Sequence, residues 1–265
     1  MKRTYPTEFV YQAASLILSL IVVHAVYVTI VRPRADAILA DQIARMQADP
    51  DYVQERSLYV IVRDFEQEAC FVLLFWALAI LAYKGWASLR EQRLLQVELV
   101  PVDEGTRILP EDSREYARQL EALPERQQRQ LLPRALLTAL QRFGVTRNIQ
   151  DTSDTARALC EAESERLDSE LAMVRYIAWA IPSVGFIGTV RGIGEALGQA
   201  HKAVEGDIAG VTQSLGVAFN STFIALLISI VLMFVLHQVQ LQQERLVHDA
   251  ESYLDRHLIQ HLRVP

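Results

Sequence analysis

Four stretches of the chain are apolar over about the 20 residues that a bilayer-spanning helix needs, and charge collects between them. The pattern predicts span one at residues 9–31, span two at 69–83, span three at 171–198 and span four at 212–237. Span one lies between Lys2-Arg3 and Arg32-Pro33-Arg34. Span two, the shortest, is closed by Lys84, Trp86, Arg90 and Arg93. A cleaved leader would need a shorter apolar run followed by a small-x-small site; none follows span one, so an anchored helix is expected. Four spans leave both termini on one side. Lys2, Arg3, Lys84, Arg90, Arg93, Arg175 and Arg245 then share that side, which the positive-inside rule makes the cytoplasm.

The connections follow from the same pattern. Residues 1–8 form a cytoplasmic N-terminus, and 32–68 an extracytoplasmic loop with a short amphipathic helix over Ala35–Met46. Residues 84–170 are charged and helical in pattern. Pro101, Pro110, Pro124 and Pro133 cut them into short pieces, which suits a cytoplasmic helical domain. A new helix starts at Asp151-Thr152-Ser153-Asp154, a group of N-cap and acidic first-turn residues, and meets no Gly or Pro before Pro182. It is expected to run unbroken into span three, roughly 70 Å from Ser153 to Gly198 at 1.5 Å per residue. Residues 199–211 form a second extracytoplasmic loop. Beyond span four, 238–265 continue as a cytoplasmic C-terminal helix reaching His261. The expected fold class is an all-α membrane protein with long cytoplasmic helical extensions.

Composition narrows the picture. Hydrophobic residues make up 51% of the chain, more than a soluble domain carries, which favours the membrane reading. A net charge of -6 argues against nucleic acid as a partner. Cys70 falls in a span and Cys160 in the cytoplasmic helix, so free structural thiols are expected rather than a disulfide.

Spans three and four are unlike simple anchors. Gly185, Gly188, Gly192 and Ala196 recur on one side of span three, and Ser214, Ala218, Ser221, Ala225 and Ser229 on one side of span four. Such stripes let helix backbones approach where lipid gives apolar burial no driving force, and packing alone accounts for them. Pro182 removes a backbone donor and is expected to kink span three. Thr189, Asn220, Ser221 and Thr222 are polar groups within the spans that could line an ion path, although a membrane Thr often only bonds its own i−4 carbonyl. No Asp or Glu lies deep in any span, Glu195 standing near the outer end of span three, so a titratable carrier would come from another chain. Arg191 is costly inside a span unless paired or hydrated. Glu195, its i,i+4 neighbour, offers an internal ion pair; a contact to a partner helix or an anion barrier at the outer mouth is the functional alternative.

Gly185-Phe-Ile-Gly-Thr-Val-Arg-Gly-Ile resembles the GLxGTVxGI signature of the MotA/TolQ/ExbB proton-channel family. Val217-Ala-Phe-Asn-Ser-Thr-Phe-Ile-Ala-Leu resembles that family's second segment, in the same order and at a matching separation. The resemblance covers roughly Asp168 to Gln240. It implies a homopentameric ring in the bacterial inner membrane, with spans three and four innermost. The ring would enclose a dimer of single-span MotB/TolR/ExbD-like subunits, each bearing an Asp that accepts and releases protons. Thr189 and Thr222 would line the path beside that Asp. The chain departs from the family at Val217, where the TolQ and ExbB branches carry Glu, and at Asn220 and Arg191. Its two extra N-terminal spans resemble the MotA layout.

Other signals carry less. Gly192-Ile-Gly194-Glu-Ala-Leu-Gly198 mimics a dinucleotide fingerprint, but it follows no strand and its spacing is off by one. His257 and His261 stand i,i+4 without an obvious third ligand, so a solvated helix end is expected and no metal. His24 and His237 are expected to be packed or snorkelled neutral imidazoles. With no Walker loop, zinc motif or nucleophile elbow, neither catalysis nor a cofactor is expected. Two function classes remain: an ion-conducting stator subunit, and a non-conducting oligomeric scaffold for a partner protein. A solute transporter fits less well, since no inverted repeat is visible.

Overall fold

A computed structural model describes residues 5–48, 57–101, 106–204 and 208–264. The helices are α1 (Tyr5–Val26), α2 (Arg32–Ala48), α3 (Leu58–Ile61), α4 (Phe65–Leu94), α5 (Ser113–Glu121) and α6 (Glu125–Gln128). They continue as α7 (Leu131–Thr146), α8 (Ile149–Glu170), α9 (Ala172–Gly198), α10 (Ala200–Val204) and α11 (Ala209–His257). A π-helical turn, Tyr27–Val31, joins α1 to α2, and a 3₁₀ turn spans Ile259–His261. Among the described residues there is no strand, only one isolated bridge between Ile108 and Leu262. Four helical stretches, Glu8–Met46, Phe65–Leu94, Ile149–Gly198 and Ala209–His261, are long and apolar enough to cross a membrane.

The chain divides into two compact units, the first of Met1–Leu81 with Met173–Leu236. Its packing inverts that of a soluble domain. Trp179, Phe186, Ile187, Val190 and Leu197 on α9, and Phe219, Phe223, Ile230 and Phe234 on α11, are exposed. Gly185, Gly188, Gly192 and Ala196 on α9 and Ser214, Ala218, Ser221 and Ala225 on α11 are buried, together with Ile177, Ile181 and Leu232. Lipid tails are as apolar as these side chains, so close backbone approach and hydrogen bonds must hold the helices instead. The α1–α4 contact follows the same logic: Tyr11 Oη donates to Ala79 O at 3.1 Å and Trp76 Nε1 to Gln12 O at 2.9 Å. Val23, Tyr27, Val31 and Val72 fill the gap. Ala35–Met46 is not a separate helix. It belongs to α2, which leaves α1 directly through the π turn, because nothing between Val26 and Arg32 breaks the backbone.

The second unit comprises Ala82–Ala172 and His237–Pro265. Leu131, Leu136, Leu140 and Phe143 of α7 form its core with Ile108, Leu120, Cys160, Leu254, Leu258 and Leu262. The start of α8 differs from expectation. Asn148 is its N-cap, accepting from Gln150 N at 2.9 Å and Asp151 N at 3.3 Å, so the helix begins before the Asp151–Asp154 group. Arg147, at φ 54°, takes the left-handed turn that ends α7. The path from α8 into α9 is also broken: Leu171 closes a turn through its N–H to Asp168 O at 3.1 Å. At its far end α11 stops at His257, and His261 lies in the 3₁₀ turn. His257 stacks on Tyr253, and His261 Nδ1 lies 3.1 Å from Thr106 O. Buried charge is paired here, with Lys84 on Glu170 at 2.8 Å and Glu163 held between Arg134 and Arg166.

Candidate functional site

The sequence candidates on α9 and α11 meet along one antiparallel seam. A Cβ at Gly185 would stand 2.5 Å from Ala225 Cβ, and one at Gly188 2.5 Å from Ser221 Cβ. At Gly192 a Cβ would fall 2.7 Å from Ser214 O and 2.8 Å from Ala218 N, both backbone atoms that cannot move aside. Only glycine fits these three turns. Gly194, Gly198 and Gly216, by contrast, have nothing within 4 Å of a built Cβ, so glycine is not required there by the protomer.

That close approach brings Thr189 and Thr222 into direct hydroxyl–hydroxyl contact. Thr189 Oγ1 also lies 3.0 Å from Ala218 O and 3.3 Å from Gly185 O, while Thr222 Oγ1 lies 3.2 Å from Gly185 O. Each hydroxyl has one proton and can accept from its neighbour. Two directions satisfy both: Thr189 donates to Thr222, which donates to Gly185 O, or Thr222 donates to Thr189, which donates to Ala218 O or to its own i−4 carbonyl, Gly185 O. Exchange between the two reverses the direction of the pair, as a hydroxyl relay requires. Neither Thr therefore simply bonds its own i−4 carbonyl. Ser221 does so, donating to Val217 O at 2.8 Å. Asn220 is half-buried and makes no hydrogen bond among the described residues.

Pro182 and Ser229 form a second link. A proline at 182 leaves the Ala178 carbonyl, four residues back, without its helical donor. Ser229 Oγ on α11 donates to that carbonyl at 3.3 Å. Ser229 thus adds a hydrogen bond to the close packing expected from its place in the small-residue stripe.

Arg191 finds two carboxylates. Glu195 accepts from Nη1 at 3.0 Å, and Glu66 of α4 takes the guanidinium bidentately, Nε–Oε1 at 2.7 Å and Nη2–Oε2 at 2.8 Å. Glu66 is buried, and its Cγ would stand 3.1 Å from a Cβ at Gly188. Two residues on, on the other side of the helix, Glu68 bonds Arg32 and also lies 2.7 Å from His24 Nδ1. The acidic first turn of α4 therefore ties α9 on one side and the α1–α2 stretch on the other. That no Asp or Glu lies deep in any span does not keep carboxylates from the inner helices: Glu66 reaches α9 from the first turn of α4. Glu66 was missed because the apolar run of span two begins only after it, and an acidic first turn reads as ordinary helix-dipole chemistry. The charge of Arg191 within span three was the available signal.

Among the described residues no group of three or more metal-ligating side chains gathers. Cys70 and Cys160 are both free and buried. No curated protein and no solved structure matches the chain. The model of the MotA/TolQ/ExbB proton channel family matches residues 127–252, which contain α7 to α9 and most of α11, and with them the whole Thr189–Thr222 seam. Over that segment the chain is similar to the MotA/TolQ/ExbB proton channel family.

Proposed function

We propose that this chain is a stator subunit of the bacterial inner membrane, with both termini cytoplasmic, that forms a homopentameric ring around a dimer of single-span, Asp-bearing partners. The Thr189–Thr222 hydroxyl pair, within the segment that matches a proton channel family, is the observation that carries this reading. The exposed large apolar side chains of α9 and α11 supply surface for neighbouring copies, the partner helix and lipid. A proton descending the gradient would reach the partner's Asp between these hydroxyls. Neutralising that carboxylate changes which ring position the partner helix prefers, and repeated cycles step one ring against the other. One charge crossing the membrane delivers about 2.3 kcal/mol per 100 mV, enough to bias such steps. The work would leave through the partner's extracytoplasmic domain, toward an outer-membrane or cell-wall target.

The scaffold reading uses the same seam as packing alone, with both hydroxyls satisfied within the protomer. Thr189→Val and Thr222→Val separate the two. In proteoliposomes holding chain and partner, a conducting subunit loses proton flux by about tenfold or more with its native mass unchanged. Full flux from both variants would leave the hydroxyl pair as packing, and absence of flux from the parent complex would favour the scaffold.

A further inference from the structure

We infer that Glu66 is a positioning residue for the Thr189–Thr222 pair, acting through Arg191; its consequence for ion flux rests on the function proposed above. Thr189 lies between the two points where Glu66 grips α9. On one side the Glu66 Cγ crowds Gly188, so the side chain lies along the helix backbone. On the other its carboxylate takes the Arg191 fork through two bonds of 2.7 and 2.8 Å. A forked guanidinium–carboxylate pair fixes orientation as well as distance, which a single bond does not. The same point above Gly188 is occupied from the α11 side by Ser221, whose Oγ would stand 2.6 Å from a built Cβ. α4 and α11 thus press the same turn of α9 from two sides, and the hydroxyl contact requires α9 and α11 to stay at glycine separation.

The chemistry suits positioning and not proton carriage. Both Glu66 oxygens are engaged by one guanidinium, an arrangement that favours the charged carboxylate and makes it a fixed anchor rather than a proton carrier. Glu195 takes a third bond from Arg191, which makes the cluster two carboxylates on one cation. Removing Glu66 alone leaves Arg191 tied only to its exposed helix neighbour Glu195 and no longer to α4, and removing Arg191 alone leaves Glu66 a buried charge without its fork. Removing Glu66 and Arg191 together leaves only the solvated Glu195 and no buried charge, so the two residues should act as one unit.

The test reads position and flux separately, in the full chain with Cys70 and Cys160 replaced by Ala. Thr189→Cys with Thr222→Cys is expected to close to a disulfide under mild oxidation. Adding Glu66→Gln or Arg191→Gln should slow closure by about tenfold, and Glu66→Gln with Arg191→Gln should recover part of that loss. Native mass checks that each variant assembles as its parent does. In chains that keep both threonines, Glu66→Gln should cut proton flux in the partner-bound complex. Closure at the parent rate in both single variants overturns the proposal. Slowed closure with flux unchanged upholds the positioning role and sinks the assignment of the hydroxyl pair to an ion path.

Discussion

At the scale of single residues, proline and glycine shape the seam by what they lack. Gly185, Gly188 and Gly192 lack a Cβ, and each faces an atom of α11 at a distance no side chain could share. Pro182 lacks an N–H, and the carbonyl it orphans is answered from the other helix by Ser229. That pairing makes a specific expectation. Ser229→Ala should cost about 0.5–1.5 kcal/mol, the net worth of one hydrogen bond, and more if the carbonyl is left dry. In a Pro182→Ala background the helix supplies its own donor, and the cost of Ser229→Ala should nearly vanish. Thermal unfolding of the four proteins in one detergent measures the cycle, and equal costs in both backgrounds would show that Ser229 acts by packing alone.

At the scale of elements, helix ends are decided by capping partners that are not always local. α8 starts at a residue of its own, Asn148, whose side chain takes two of the first free N–H groups. Asn148→Ala should therefore lower the stability of the second unit by about 1 kcal/mol, while Ser153→Ala, mid-helix, should leave it nearly unchanged. Denaturant midpoints of the two variants provide the comparison. α7 has no side-chain cap of its own; Glu91 of α4 reaches Leu131 N at 3.2 Å and does the same work from 40 residues away. Burial pushes the Glu91 carboxyl above the usual range, and the Leu131 N–H works against that rise. The short gap at Leu171 separates two helices that the residue pattern joins, because no side chain marks the change in backbone bonding there.

At the scale of the whole molecule, two kinds of interior coexist in one chain. One is built of small side chains, hydroxyls and ion pairs, with its large apolar groups outward. The other is an apolar core of the ordinary kind around α7, into which Cys160 is packed. Burial first, and then the nearby Glu251 charge, push the Cys160 thiol up from 9.0 to about 11. The folded protein therefore keeps this proton at a pH where the unfolded chain has lost it. The stability this group contributes is complete below about 9 and is lost as pH rises toward about 11. Cys160→Ala should flatten the alkaline fall of the denaturation midpoint across that window. A slope unaltered by the substitution would rule the thiol out as its source. In the native protein near neutral pH, maleimide should label Cys160 far more slowly than in denaturant, since both burial and proton retention suppress the thiolate.

The order of residues along the chain was enough to determine four apolar helices, the small-residue stripes on α9 and α11, and, through the Gly185–Ile193 and Val217–Leu226 segments, the resemblance to a proton channel family. These features are periodic or contiguous, so each is written within one helix and needs no knowledge of its neighbours. Hydrophobic length also places Thr189 and Thr222 inside the spans. Only the tertiary structure decided that their hydroxyls touch, that Ser229 answers the Ala178 carbonyl across 51 residues, and that Arg191 is held by Glu66 across 125. Polar groups in an apolar surround take whichever partner the packing brings within about 3 Å, and sequence distance does not enter that choice.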